Sequence, residues 1–80
     1  MTLEKLKEIV RQLIGRARTK EAINKIIKWA QTYQQDQLKE DATLIKANQS
    51  NLDRQKRLGL LSNSEASIKQ NNINLSLIHI

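Results

Sequence analysis

The first segment carries apolar residues at Leu3, Leu6, Ile9, Val10, Leu13 and Ile14. Spacings of three and four fill one side of a 3.6-residue helix. Thr2 is an N-cap candidate, Glu4 suits the positive end of the helix dipole, and Gly15 is expected to supply a left-handed stop. After the basic link Gly15-Arg16-Ala17-Arg18, Thr19 is the next N-cap candidate, with Glu21 in the first turn. Ala22, Ile23, Ile26, Ile27 and Ala30 then repeat the helical spacing. So short a link folds the first two helices into an antiparallel hairpin. Trp29 falls at the flank of this stripe and reads as a half-buried packing residue rather than a ligand-stacking platform.

The polar, amide-rich stretch 31–37 reads as a frayed end and a loop. Beyond it, Leu38, Ala42, Ile45, Gln49 and Leu52 cluster on one side of a long helix, within about 80° of one another. Leu44, Ala47, Asn51 and Leu58 form a second, weaker stripe on the opposite side. A helix with two stripes is either sandwiched between neighbours or buries one face and offers the other to a partner. Gly59 ends it, Leu60 and Leu61 are expected to pack the corner, and Ser62-Asn63-Ser64-Glu65 matches a capping box. In the last segment Ala66, Ile73, Leu77 and Ile80 share one helical face, with Ile68 and Leu75 on the other. Residues 73–77 also alternate like a strand, but no other segment alternates to pair with them, so the pattern predicts a fourth helix. The expected fold is all-α: a compact antiparallel bundle of about four helices over residues 3–14, 20–31, 37–58 and 63–79.

Composition narrows the chemistry. Eighty residues suffice for one domain, 1–80, with a modest core. The chain has no Cys and no Pro, two Gly and a single His, His79. Disulfides, thiolate metal sites and thiol catalysis are thereby excluded, and no metal site or cofactor is expected. No nucleophile–base pair or phosphate-binding glycine loop is visible, and Glu40 and Asp41 are adjacent and diverge on a helix, so no catalytic residues are assigned and the chain reads as a non-enzyme. No apolar run reaches the roughly 20 residues of a membrane span, and the first ten residues lack signal-peptide order, which points to the cytoplasm. The apolar end, Leu77-Ile78-His79-Ile80, lacks a cap or polar tail, as expected of a module excised from or fused to a longer chain.

The net charge is +6, and its excess sits in the first third of the chain. Arg16, Arg18, Lys20, Lys25 and Lys28 are the candidate contact residues for an acidic partner or for nucleic acid. Two aromatics and no helix-turn-helix or zinc pattern weigh against the nucleic-acid alternative. A membrane-surface role for the first helix competes with the core for the same apolar face.

The segment Arg57-Leu58-Gly59-Leu60-Leu61-Ser62, followed by Glu65 and then Asn71-Asn72-Ile73-Asn74-Leu75-Ser76-Leu77-Ile78, resembles the effector-associated domains of bacterial conflict systems. In these, a basic-Leu-Gly-Leu-aliphatic-Ser corner precedes a last helix with an Asn-x-Ile-Asn signature. Arg18-Thr19-Lys20-Glu21-Ala22 matches the opening of their second helix, so the resemblance covers nearly the whole chain. Three positions depart from it: Ala17 where relatives usually have Gly, Asn48 where they tend to have Arg, and Ala66 where an aromatic is common. The resemblance implies fold roles for Gly59 in the turn, for Leu58 and Leu61 in packing, and for Ser62 and Glu65 in the cap. It also implies a non-catalytic adaptor that pairs with a like domain, coupling an effector such as a caspase-like peptidase or TIR domain to a sensor. The residues expected to carry such association are Leu44, Ala47 and Leu58, with the basic group above, and self-association is one form of it.

Overall fold

A computed structural model describes residues 1–80 as four helices: α1 (Leu3–Gly15), α2 (Thr19–Thr32), α3 (Asp36–Arg57) and α4 (Asn63–Ile78). Every element agrees with the periodicity to within a residue at each end. Links of three to five residues reverse the chain each time. α2 is central, packing against α1 on one side and α3 on the other, while α4 closes the bundle against α3 and α1.

The core draws on all four helices: Leu6 and Val10 of α1, Ala22, Ile23 and Ile26 of α2, Ala42, Ile45 and Leu52 of α3, and Ile73 and Leu77 of α4. Ile23 and Ile26 are wholly buried, each contributing about 1.5–3 kcal/mol by transfer of its side chain from water. Leu13, Ile14, Ile27, Leu38, Leu61 and Ile80 pack around the rim. Trp29 is half-buried there as expected, and its Nε1 donates to the Met1 carbonyl at 3.0 Å. The Trp29 ring also lies 4.7 Å from that of Tyr33, centroid to centroid, at a 35° tilt. No helix is long and apolar enough to cross a membrane.

The helix ends reveal one device used three times. α1 closes with Arg18 N–H donating to the Leu13 carbonyl (2.8 Å) and Ala17 N–H to that of Ile14 (3.0 Å). α2 closes with Gln35 to Ala30 (2.8 Å) and Gln34 to Gln31 (3.4 Å). α3 closes with Leu60 to Gln55 (3.0 Å) and Gly59 to Lys56 (3.1 Å). Each is a Schellman motif, which satisfies orphan carbonyls by turning one residue into the left-handed region. Those residues are Ala17 (φ 59°), Gln34 (φ 54°) and Gly59 (φ 69°).

Four expectations need correcting. Gly15 is not the left-handed stop; it lies inside α1, and Ala17 two residues later takes the positive φ. Thr19 is not an N-cap, because Arg18 holds that position with no side-chain cap bond and Thr19 is buried as the first helical residue. Leu60 does not pack the corner: it is exposed, and only Leu61 turns inward. Leu58, read through the family resemblance as a packing residue, is exposed as well. The Thr2 cap on Lys5 N–H and the reciprocal Ser62–Glu65 capping box form as expected.

A non-glycine residue in the left-handed region carries a steric cost of about 1–2 kcal/mol. Gly pays back about 0.5–1 kcal/mol of that in unfolded-state entropy. Ala17→Gly is therefore expected to stabilise the fold by a few tenths to about 1 kcal/mol, and Gly59→Ala to destabilise it by a similar amount. Thermal unfolding checks both, at about 4–8 °C per kcal/mol for a chain of this size.

Candidate interaction surface

The helices are held in register by polar side chains as well as apolar ones. Gln49 of α3 is 4% exposed, on the inward face between Ile45 and Leu52. Its Nε2 donates to Asp53 Oδ1 (3.1 Å) and to Gln70 Oε1 on α4 (3.0 Å). Gln70 Nε2 returns a bond to Gln49 Oε1 (2.7 Å) and donates its other proton to Asn74 Oδ1 (3.1 Å). Asn74 Oδ1 also accepts from the Thr19 hydroxyl of α2 at 2.9 Å. Asp53 Oδ2 is 2.7 Å from Nζ of Lys20, the next residue of α2. The chain Lys20–Asp53–Gln49–Gln70–Asn74–Thr19 thus leaves α2, crosses α3 and α4, and returns to α2.

Both amide donors of Gln49 and both of Gln70 are used, so each side chain has one satisfied orientation. The Lys20 ammonium holds the Asp53 carboxyl below its ordinary pKa. Partial burial pulls the other way, while the Gln49 amide and, more weakly, Lys20 and Lys56 as charges act downward. Thr19 and Asn74 were legible only as a cap and as part of a sequence signature. The signal for the ring was Gln49 standing in an otherwise apolar stripe, and Gln70 and Asn74 sharing a side of α4 with Ile73 and Leu77.

With Gln49 turned inward, the opposite side of α3 faces solvent. Leu44 is 64% exposed and Leu58 60%, and Ala47 and Asn51 are exposed between them. Asp36, Lys39, Glu40 and Thr43 border Leu44 and Ala47 in a shallow depression on this face. On α4, Ile68 and Leu75 likewise point outward.

The five candidate basic residues are all exposed, but they do not act alike. Arg18 lies 3.7 Å from Glu21 and Lys20 is tied to Asp53. Arg16, Lys25 and Lys28 have no carboxylate within 4 Å. Arg18 and Lys20 border a groove of about 560 Å³ over the polar ring, which Glu21, Asp53 and Lys56 also line. Its charge is mixed rather than uniformly positive. No three His, Asp or Glu side chains converge in the manner of a metal site.

The family model of effector-associated domain 11 matches residues 5–80, from the first turn of α1 to the last residue. The chain belongs to the effector-associated domain family. Comparison with curated proteins gives no match, and neither does comparison with solved structures. In this effector-associated domain the corner and signature residues that carried the resemblance have visible structural tasks. Gly59 turns the chain, Ser62 and Glu65 cap α4, Ile73 enters the core, and Asn74 joins α4 to α2.

Asp53→Asn removes the ion pair while keeping an acceptor for Gln49. At pH 7 it is expected to lower stability by about 1 kcal/mol, since Lys20 is largely solvated. A depressed folded-state pKa contributes stability that is complete above the unfolded value, near 3.9, and is lost as pH falls through the folded value. The gap between wild type and Asp53→Asn is therefore expected in full at pH 7 and should shrink as pH falls below about 4 toward the lower folded-state value. Urea unfolding of both proteins at pH 7 and pH 3 checks this.

Proposed function

We propose that the chain is a non-catalytic adaptor module. In this reading it associates with a like or related domain and so couples an effector, of the caspase-like peptidase or TIR kind, to a sensor in a bacterial defence system. The observation that carries the reading is membership of the effector-associated domain family over residues 5–80. The exposed α3 stripe supports it physically. Leu44, Ala47 and Leu58 leave apolar surface in water along one line of a helix whose other face already fills the core. Covering such a line with a second apolar surface is favourable by about 25 cal/mol per Å².

The basic residues fit the same reading as a source of orientation. Exposed charge on one part of a small module steers encounter and penalises wrong arrangements more than it adds affinity. Arg16, Lys25 and Lys28, free of intramolecular carboxylates, are the ones available for that task.

Leu44→Glu and Ala47→Glu place a charge in the stripe without touching the core. Each is expected to abolish association with a like domain while leaving helicity and melting temperature within the range of ordinary surface substitutions, about ±0.5 kcal/mol. Light scattering over a wide concentration range, paired with circular dichroism, checks both halves. Normal association by both variants would remove α3 from the interface.

A further inference from the structure

The outward line of α3 is more ordered than a patch of stray apolar residues. Glu40, Leu44, Ala47, Asn51, Arg54 and Leu58 follow one another at spacings of four, three, four, three and four. That is the a/d pattern of a helix-pairing seam, and all six residues are exposed. Ala47 near the middle permits close approach of a second backbone, and Asn51 is a polar residue of the kind that fixes register in such seams.

Charge divides this line in two. Glu40, with Asp36 beside it, is acidic at the α3 N-terminal end, and Arg54, with Arg57 beside it, is basic at the other. None of the four lies within 4 Å of an opposite charge, and none makes a side-chain hydrogen bond to another residue of the chain. Complementing the helix dipole accounts for charges in the terminal turns. It does not account for Glu40, which stands beyond the first turn of α3; Arg54 does fall in the last turn, and both share the line of the exposed apolar residues.

Resting on the adaptor reading above, we propose that a second copy of this domain docks on α3 through α3 itself, antiparallel and about a two-fold axis at Ala47. Ala47 lies midway between Glu40 and Arg54, seven residues from each. An antiparallel copy centred there sets Glu40 against Arg54 of its mate, twice over, with Leu44 and Ala47 between the two pairs. A two-fold contact uses one patch on both partners, so the assembly closes at two. Parallel pairing sets Glu40 against Glu40 and Arg54 against Arg54, which is repulsive. Antiparallel helix dipoles also attract. One helix pair buries less than the roughly 1,200 Å² of a standard interface, which places the contact among the weak, transient ones.

Light scattering or sedimentation of the chain, from about 10 μM to 1 mM at 0.15 M salt, tests this. The wild type should approach twice the monomer mass and stop there. Glu40→Arg and Arg54→Glu should each be at least tenfold weaker alone, yet recover dimer when mixed one to one. The first raises the net charge by two and the second lowers it by two, so general repulsion cannot produce both losses. A cross-link gives an independent reading, because the chain has no Cys of its own. Chains bearing Glu40→Cys and Arg54→Cys should form a mixed disulfide on oxidation and little of either like pair. Like positions would stand 14 residues apart along the helices, about 21 Å, beyond the reach of a disulfide.

A mass that climbs past two, or a mixture that fails to recover, overturns the two-fold pairing while leaving association intact. A wild type that stays monomeric at 1 mM also overturns it, and the adaptor reading then rests on binding to a different like domain. Dimerisation that survives Leu44→Glu as well as both charge reversals would remove α3 from the interface and overturn both readings of that face.

Discussion

Gln49 fixes how α3 sits in the bundle. A primary amide at 4% exposure is costly unless all of its hydrogen-bonding groups are used. Asp53, one turn along the same helix, takes one amide proton. The other donor and the carbonyl are used only when α3 is turned so that Gln49 meets Gln70 of α4. Apolar packing alone tolerates small rotations and slips of one helix against another, since it is not directional. Directional bonds do not. The rotation of α3 that satisfies Gln49 is the one that sends Leu44, Ala47 and Leu58 into solvent. The exposed face of α3 is thus tied to a polar residue on the opposite side of the same helix.

The ring also ties together helices that are far apart in the chain. Thr19 and Asn74 are separated by 55 residues, and Gln49 and Gln70 by 21. In a bundle with a small core, each such bond selects one arrangement among several that would bury a similar apolar area. The Lys20–Asp53 pair joins the ring at its wet edge, where it orients Asp53 toward Gln49 more than it adds stability. Schellman closures at all three reversals act in the same direction, setting the exit of each helix over a short link. Two of them hold Ala17 and Gln34 at positive φ, so local strain is accepted to keep the links short.

Much of this was legible from residue order. The four helices and the capping box followed from periodicity and side-chain chemistry that act within a few residues. The inward and outward stripes of α3 did as well, because a helix has one fixed angle per residue. The errors share a cause. Gly15 is a poor guide to the left-handed position because the Schellman geometry is set by where helical hydrogen bonding stops, and that fell two residues later. Thr19 has the composition of a cap, but it lies one residue inside the helix, where its hydroxyl donates to Asn74, which the sequence places nowhere near it. Leu58 and Leu60 look like corner-packing residues, yet a five-residue link has only enough curvature to turn Leu61 inward.

The sequence by itself determined the helical class, the helix boundaries, the amphipathic faces and the membership signature, since these depend on interactions between near neighbours. Only the tertiary structure decided which polar residues are joined, namely Thr19 to Asn74, Gln49 to Gln70 and Lys20 to Asp53. It also decided that both ends of the outer α3 line carry charges without a partner in the same chain. Contacts between distant segments depend on how helices rotate and slide against one another. Those two freedoms leave no mark in the period of any single helix.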